Sequence, residues 1–357
     1  MKFGVRGALG IGISALLLWY ALKGIDFAQV VASLRGSDLG LWALCTVTSQ
    51  LIFPLRARRW RTILDPVAPR LPFRPLWRAT AIGMMANNVL PARAGELVRV
   101  FVLSRERKDV PWSAALASLA VDRVFDALSV LLLLVVAMLA PDFPSDLAIE
   151  GRSVQSVATL VAGAVVLALG GLFVVANWPH AMESLAVRIT AALLPRFTHQ
   201  VGSVVHSLAA GLAVVREPAR FAATFAWAML HWLVNALAFW FGFKAVGIVA
   251  PFTAALFVQG IIVLFVSLPS SPGFVGLFEM AAKLALPVYG VSTAQAVTWA
   301  IGFHVLSYIP ITVIGTWYFL RMGVHLGDIE AANAANAANA ANAAAAQRIT
   351  GEHKAAR

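Results

Sequence analysis

Long apolar runs recur along the chain and determine its predicted architecture. Clear examples are Gly4–Ala21, Ser113–Ala140, Val154–Ala176 and Phe221–Phe243. A helix of about 20 apolar residues crosses the hydrocarbon core of a bilayer. The pattern therefore predicts an all-α polytopic membrane protein. Six full spans are predicted, at about residues 4–22, 38–55, 113–140, 154–177, 221–245 and 294–320.

Two further apolar segments do not have the form of simple spans. Residues 79–104 contain Pro91, and residues 252–288 contain Pro269. A proline lacks the N–H of a helical hydrogen bond and ends or kinks the helix that it enters. Irregular backbone at membrane depth is tolerated where it is buried in protein or lines a cavity.

The positions of basic residues predict how these two segments enter the membrane. Lysine and arginine gather on the cytoplasmic side of membrane proteins. Basic clusters at Arg56–Arg61 and Arg105–Lys108 flank the first segment on both sides. Counting the spans places both ends of the second segment outside. We therefore predict two re-entrant helical hairpins that enter from opposite faces.

The order span, span, hairpin, span then occurs twice, in halves of about 4–145 and 150–320 with opposite orientation. Such an inverted-topology repeat is typical of transporters that bind their substrate near the bilayer midplane. Residues 1–320 are predicted to form one transmembrane domain with a cytoplasmic amphipathic segment at 178–220. Residues 321–357 read as a cytoplasmic, low-complexity tail rich in Ala and Asn, so both termini are predicted to be cytoplasmic.

Composition supports the membrane assignment and excludes several functions. The chain is 60% hydrophobic and only 13% charged, and its net charge of +11 fits basic cytoplasmic loops. No nucleic-acid-binding motif is present, so no nucleic-acid partner is expected. The single cysteine and the spacing of the seven histidines offer no metal motif. We expect no metal, no cofactor, no catalytic residues and no enzymatic activity.

Charged and polar residues within the apolar elements are the candidate chemistry. An ionised group at membrane depth costs at least about 2.5–3.5 kcal/mol, so it tends to pair, face water or have a function. The predicted substrate-binding residues are Asn87, Asn88, Pro91, Arg93, Gly95, Glu96, Arg99, Asp122, Arg123, Asp126, Pro269, Ser270, Ser271, Gly273, Gly276, Glu279, His304 and Tyr308.

Arg93 is the predicted phosphate contact, with Arg123 or Arg99 second, because a guanidinium stays charged and binds phosphate through two parallel hydrogen bonds. Helices that begin after Pro91 or Gly273 would direct free N–H groups at the same ligand. The ionisable groups of both hairpins and of the span between them are predicted to surround one cavity.

Structural alternatives stay open for several of these residues. Asp122, Arg123 and Asp126 either contact the substrate or form an ion network that holds a span to a hairpin. Asn87 and Asn88 either bind the substrate or cap backbone at the hairpin turn. The carboxylates of the two hairpins would orient arginines, carry a proton or receive an ammonium group.

Three motifs resemble a known family. They are N-x-x-L-P-x-R-x-G-E-x-x-R at Asn87–Arg99, DRxxD at Asp122–Asp126 and LPSSPGFVGLFE at Leu268–Glu279. Together they resemble the lysylphosphatidylglycerol synthase transmembrane-region family, the flippase-like domain of multiple peptide resistance factors, over about residues 5–320. Members of that family often carry arginine where this sequence has His304. This departure weakens one expected anion contact and favours pH sensitivity.

The resemblance implies translocation of a lipid with a charged or glycosylated headgroup across the cytoplasmic membrane. The lipid would be a phospholipid, an aminoacyl-lipid or a polyprenyl-phosphate-linked sugar. Lysyl transfer itself is not expected. Two alternatives are a proton-coupled transporter of a small anionic solute and a non-transporting lipid-binding partner of a glycosyltransferase. The expected partners are a membrane lipid and a lipid-modifying enzyme or glycosyltransferase, and a homo-oligomer is left open.

The predicted topology can be tested by cysteine labelling in intact cells. Cysteines introduced near Arg74 and Lys108 should both react only from the cytoplasmic side, because basic clusters flank that segment. Cysteines near Pro251 and Val291 should both react from outside. Labelling of either pair from opposite sides would exclude that hairpin, and the inverted repeat with it.

Overall fold

The structure of the protein is a computed structural model. The structure describes residues 5–25, 27–90, 94–144, 148–149, 152–153, 178–193, 217–268, 271–325 and 327–328, with scattered positions between 159 and 174. Pro91, Arg93, Pro269 and Ser270 lie outside the described residues, as do most of the predicted span 154–177 and the tail from residue 329.

The described elements are helical apart from one two-residue strand pair, in which Ala148–Ile149 pairs antiparallel with Arg152–Ser153. The helices in the first part of the chain are α1 (Val5–Leu22), α2 (Phe27–Arg35), α3 (Leu39–Leu64), α4 (Phe73–Val89), α5 (Gly95–Glu106) and α6 (Trp112–Met138). Those in the second part are α7 (Pro179–Leu193), α8 (Pro218–Ala245), α9 (Phe252–Val266), α10 (Leu277–Ala285) and α11 (Thr293–Arg321). Two short 3₁₀ turns, Pro272–Phe274 and Leu286–Tyr289, flank α10.

Three of the described helices, α3, α8 and α11, are long and apolar enough to cross a membrane. The α6 helix has 27 residues and coincides with the predicted span at 113–140, but it carries three charged residues, Asp122, Arg123 and Asp126, near its middle. The all-helical prediction is confirmed, and helices that can span a membrane are present.

Helix ends follow local sequence signals. Asp38 caps α3 by accepting a hydrogen bond from the backbone N–H of Leu41 at 3.0 Å, and the Ser292 hydroxyl caps α11. The end of α1 is satisfied from another helix, because Lys283 Nζ donates to the carbonyls of Tyr20 and Ala21 at 2.9 and 3.0 Å. Lys283 of α10 therefore caps the end of α1.

One long helix corrects the interpretation of the basic cluster at 56–61. The second span was predicted to end at residue 55, with the arginines that follow in a cytoplasmic loop. Instead α3 continues to Leu64, and Arg56 and Arg59 are buried within it. The reason is electrostatic, because both arginines lie beside carboxylates of α6.

Small residues let the helices that surround the site approach closely. A Cβ atom on Gly315 of α11 would lie 2.4 Å from the Ala81 carbonyl oxygen of α4. A Cβ atom on Gly95 of α5 would lie 2.0 Å from the carbonyl oxygen of Gly83 in α4. These contacts are closer than any larger residue allows, so α4 packs directly against both α5 and α11.

Candidate substrate-binding site

A buried cluster of arginines and carboxylates joins α3, α5 and α6. Asp122 and Asp126 lie four residues apart in α6 and share one face of that helix. Arg59 contacts both of them, with Nη2 at 2.7 Å from Asp122 Oδ1 and Nη1 at 2.7 Å from Asp126 Oδ1. Arg99 Nη1 lies 3.3 Å from Asp122 Oδ2. Asp122 and Arg59 are fully buried.

Aromatic side chains complete the cluster. The Arg99 guanidinium stacks 3.8 Å from the ring centre of Trp60, a cation–π arrangement. Trp232 of α8 donates its ring N–H to Asp126 Oδ1 at 2.9 Å. The cluster therefore also holds α8 to the other three helices.

Positive charge exceeds negative charge in this cluster. Its carboxylates are Asp122, Asp126 and Glu96, and its arginines are Arg56, Arg59, Arg99 and Arg123. Glu96 of α5 pairs with Arg123 of α6, and Arg123 Nη1 also lies 3.6 Å from Asp126 Oδ2. Four guanidinium groups thus face three carboxylates, which leaves one positive charge without a counter-charge among these residues.

A cavity of about 290 Å³ opens beside the cluster. We call it the Arg56 cavity. It is lined from the first half of the chain by Arg56, Glu96, Arg123 and Asp126, and from the second half by residues such as His231, Trp232, Asn235 and Gln259. Its volume is close to the lower end of the range of about 300–1,000 Å³ that is usual for small-molecule sites.

Arg56 lies farther from the two aspartates than Arg59 and Arg99 do from theirs. Its nearest carboxylate oxygens, Asp126 Oδ2 and Asp122 Oδ2, lie 3.7 and 3.9 Å from Nη2. These separations are too long for hydrogen bonds. Its Nε and Nη2 atoms make no hydrogen bond within the described part of the chain. A guanidinium in this state is suited to bind an anion.

A second polar group lies at the break between α9 and α10. His304 Nε2 lies 2.8 Å from the Gly273 carbonyl oxygen and therefore carries a hydrogen, because a carbonyl only accepts. Its Nδ1 lies 2.5 Å from Glu279 Oε1, so one proton must lie between these two atoms. Glu279 Oε2 accepts from the backbone N–H of Gly276 at 2.7 Å, which fixes the carboxyl group at the start of α10.

These groups border a separate cavity of about 410 Å³, which we call the His304 cavity. Gly273, Glu279, His304 and Tyr308 line it. Asn88 and Tyr308 line both cavities, so the two are neighbours.

The predicted site residues divide among these places. The Arg56 cavity is lined by Asn87, Asn88, Glu96, Arg123, Asp126 and Tyr308. Arg99 and Asp122 lie in the ion cluster behind it. Glu279 lies in the His304 cavity, so the prediction that all these ionisable groups surround one cavity is wrong for Glu279 and for Asp122.

Three predicted residues have a clear structural role. Asn87 Oδ1 accepts a hydrogen bond from the backbone N–H of Gly95 at 2.9 Å and so ties α4 to the start of α5. Ser271 lies next to the 3₁₀ turn, and its hydroxyl lies 3.3 Å from the Val275 carbonyl oxygen. Gly276 has a φ of 89°, a conformation that glycine adopts readily, and it precedes α10.

Sequence reasoning missed Arg56, Arg59, Asn235 and Gln259. The available signal for the two arginines was their spacing, since residues three apart share a helix face as the two aspartates of α6 do. Asn235 and Gln259 were single amides in apolar runs, and they pair with each other at 2.7 Å.

Comparison with known proteins agrees with this architecture. The family model described as Lysylphosphatidylglycerol synthase TM region matches residues 7–315. Glycosyltransferase AglD of Haloferax volcanii is 27% identical over 344 residues, which cover 89% of this chain and 54% of that protein. The chain therefore spans about half the length of that relative.

Two further relatives are similar over most of their own length. A UPF0104 membrane protein of Methanothermobacter thermautotrophicus is 26% identical over 306 residues, covering 81% of this chain and 85% of that protein. The UPF0104 membrane protein PH1989 of Pyrococcus horikoshii is 21% identical over 322 residues, covering 86% of this chain and 93% of that protein.

Arg59→Met should strongly destabilise the protein, because it leaves two buried aspartates without their closest positive partner. Breaking a buried ion pair on one side costs about 3–5 kcal/mol. Arg58→Met is the matched control, since Arg58 is the exposed neighbour of Arg59 in α3. Thermal unfolding in detergent measures the difference. Equal midpoints for the two variants would contradict a stabilising role for this ion cluster.

Glu279→Gln should unfold near the wild-type temperature, while Glu279→Ala should be less stable. A glutamine amide both donates to His304 Nδ1 and accepts from Gly276 N–H, whereas alanine leaves both groups unpaired at about 1–3 kcal/mol each. If glutamine destabilised as much as alanine, the wild-type contact would require an ionised carboxylate and a charged imidazole.

Proposed function

This chain belongs to the lysylphosphatidylglycerol synthase transmembrane-region family, and on that premise we propose that it translocates a lipid across the cytoplasmic membrane. The lipid headgroup, charged or glycosylated, enters the Arg56 cavity while the hydrocarbon chains stay in the bilayer. The observation that carries the proposal is the surplus positive charge of the ion cluster next to that cavity. An anionic headgroup neutralises this charge, which is buried and therefore poorly solvated by water.

The packing of the helices supports an inverted repeat. Corresponding helices begin at nearly constant separation: α3 at Leu39 and α8 at Pro218 are 179 positions apart, and α6 at Trp112 and α11 at Thr293 are 181 apart. Between these lie α4 and α9, whose first residues, Phe73 and Phe252, are again 179 apart.

A twofold exchange of the halves also maps observed contacts onto one another. It exchanges the packing of α4 against α11 with that of α9 against α6, and both contacts occur. It maps the packing of α3 against α8 onto itself. Each exchanged contact contains a glycine: Gly315 lies against Ala81, and Gly260 lies against Leu134. We propose that the two halves are inverted repeats related in this way.

Helix lengths support the two re-entrant hairpins. At a rise of about 1.5 Å per residue, the 12 residues of α5 and the 9 of α10 extend about 18 Å and 14 Å. The hydrocarbon core is about 30 Å thick, so neither helix crosses it alone. In our proposal α4–α5 enters from the cytoplasmic face and α9–α10 from the outer face, with both termini cytoplasmic.

The chain is proposed to act without covalent chemistry of its own. Its relative AglD is described as a glycosyltransferase, which favours a second role as a lipid-handling partner of such an enzyme. In that role the lipid bound in the Arg56 cavity would be the substrate or product of the partner.

The proposal is tested by headgroup accessibility in vesicles. The purified full chain is reconstituted with a trace of phosphatidylglycerol that carries a fluorescent group on its headgroup, and a membrane-impermeant reductant quenches the outer leaflet. Wild-type protein should make the inner-leaflet probe accessible faster than protein-free vesicles do. Arg123→Met should slow this by about tenfold, which corresponds to about 1.4 kcal/mol in the barrier.

Arg321→Met is the control, since Arg321 lies at the end of α11 beside Trp317, away from the residues that line the cavity. It should transport like the wild type. If the probe became accessible no faster in wild-type vesicles than in protein-free vesicles, translocation of this lipid would be refuted. If Arg123→Met gave the same rate as the wild type, the Arg56 cavity would not be part of the translocation path.

A further inference from the structure

The Arg56 cavity presents a hydrogen-bond donor that needs an anion. Arg56 lines the cavity and is only 7% exposed. Its Nε and Nη2 atoms make no hydrogen bond to described residues, and its closest carboxylate oxygen is 3.7 Å away. A buried guanidinium with two nitrogen atoms that lack hydrogen bonds carries a large desolvation cost, which an oxyanion offsets through two parallel bonds.

Two further lining residues present groups of opposite hydrogen-bonding type. Gln259 is fully buried; its Oε1 accepts from Asn235, while its Nε2 has no hydrogen-bond partner within the described ranges. Glu96 pairs with Arg123 through Oε1, and its buried Oε2 has no hydrogen-bond partner there. The residues that line the cavity therefore hold an unpaired amide donor and an unpaired carboxylate acceptor just beneath its surface, besides Arg56.

We infer that the Arg56 cavity recognises a headgroup in which a phosphate is linked to an uncharged sugar. This inference rests on the proposed lipid-handling function and specifies its substrate class. The phosphate oxygens accept from Arg56. Sugar hydroxyls both donate and accept, so they satisfy the Glu96 oxygen and the Gln259 amide together.

An ammonium headgroup fits this set of groups less well. A primary ammonium only donates, and a quaternary ammonium neither donates nor accepts, so neither group gives the Gln259 N–H an acceptor. It also adds positive charge beside a cluster in which four arginines already face three carboxylates. The nearby carboxylates are already paired, Glu96 with Arg123 and Asp126 with Arg59.

Four amphiphiles with the same decyl chain test the inference. They are a glucosyl decyl phosphodiester, decyl phosphate, decyl glucoside and decylphosphocholine. Binding to the full chain in lipid nanodiscs is measured by titration calorimetry. The glucosyl phosphodiester should bind at least about tenfold more tightly than each of the other three, because it alone supplies both the oxyanion and the hydroxyls.

Three variants separate the two contacts. Arg56→Gln should remove the advantage of the glucosyl phosphodiester over decyl glucoside, and Gln259→Leu should reduce its advantage over decyl phosphate. Arg56→Lys keeps the positive charge and secures the test if Arg56→Gln folds poorly; it should still weaken phosphodiester binding because lysine lacks the planar fork. Arg58→Gln is the control. Arg58 lies two residues after Arg56 in α3 and is exposed, so this variant should bind like the wild type.

Equal or tighter binding of decylphosphocholine would overturn the headgroup class, as would equal binding of decyl phosphate and the glucosyl phosphodiester. Unchanged binding in both Arg56 variants would overturn the phosphate contact. The two proposals fail separately. Preferential binding without faster headgroup exchange in vesicles would refute translocation alone, and fast exchange of phosphatidylglycerol without sugar–phosphate preference would refute this inference alone.

Discussion

The buried pairing of arginines with the two aspartates of α6 is the constraint on which the rest of the structure depends. Isolated charges in a low-dielectric interior cost several kcal/mol each, and only close partners offset that cost. Asp122 and Asp126 therefore require Arg59 within contact distance, and the observed separations are 2.7 Å. This requirement sets the register of α3 against α6, because a shift of one residue along either helix would separate the charges.

The same cluster draws in the other helices of the site. Arg99 brings α5 against α6, and its guanidinium lies on the ring of Trp60. Trp232 reaches the Asp126 carboxylate from α8, a helix of the second half of the chain. Because Arg59 lies 2.7 Å from both aspartates while Arg56 lies no closer than 3.7 Å to either, Arg56 is the cavity-lining arginine that still needs an acceptor. Stability and binding therefore share one set of side chains.

The break between α9 and α10, in the second half of the chain, is held by a different kind of polar contact. There the break before α10 is closed by a hydrogen-bonded chain that runs from the Gly276 N–H through Glu279 and His304 to the Gly273 carbonyl. This chain needs one proton between Glu279 and His304, whereas the α3–α6 cluster contains ion pairs. The polar chemistry at this break therefore differs from that of the α3–α6 cluster.

Several features could be read from the sequence because their physical causes are local. Apolar runs predicted the helices, and the first helix of the 79–104 segment ends at Val89, two positions before the helix breaker Pro91 in the sequence. The spacing of Asp122 and Asp126 placed both carboxylates on one face of α6, and the capping alternative for Asn87 agrees with its bond to Gly95. Each of these depends on residues within a few positions of each other, so no knowledge of packing was needed.

Other features depended on which helices meet, and local sequence does not encode that directly. The basic run at 56–61 has the same composition whether it lies in a cytoplasmic loop or within a buried helix, and only the position of the α6 carboxylates placed Arg56 and Arg59 inside. Glu279 was grouped with Glu96 because both are acidic residues near helix breaks, yet packing placed them in neighbouring cavities. The sequence by itself determined the helices and the types of charge that they carry. The tertiary structure alone decided which charges neutralise each other and which remain available for a ligand. That outcome depends on distances of a few ångströms between residues that are far apart in the chain.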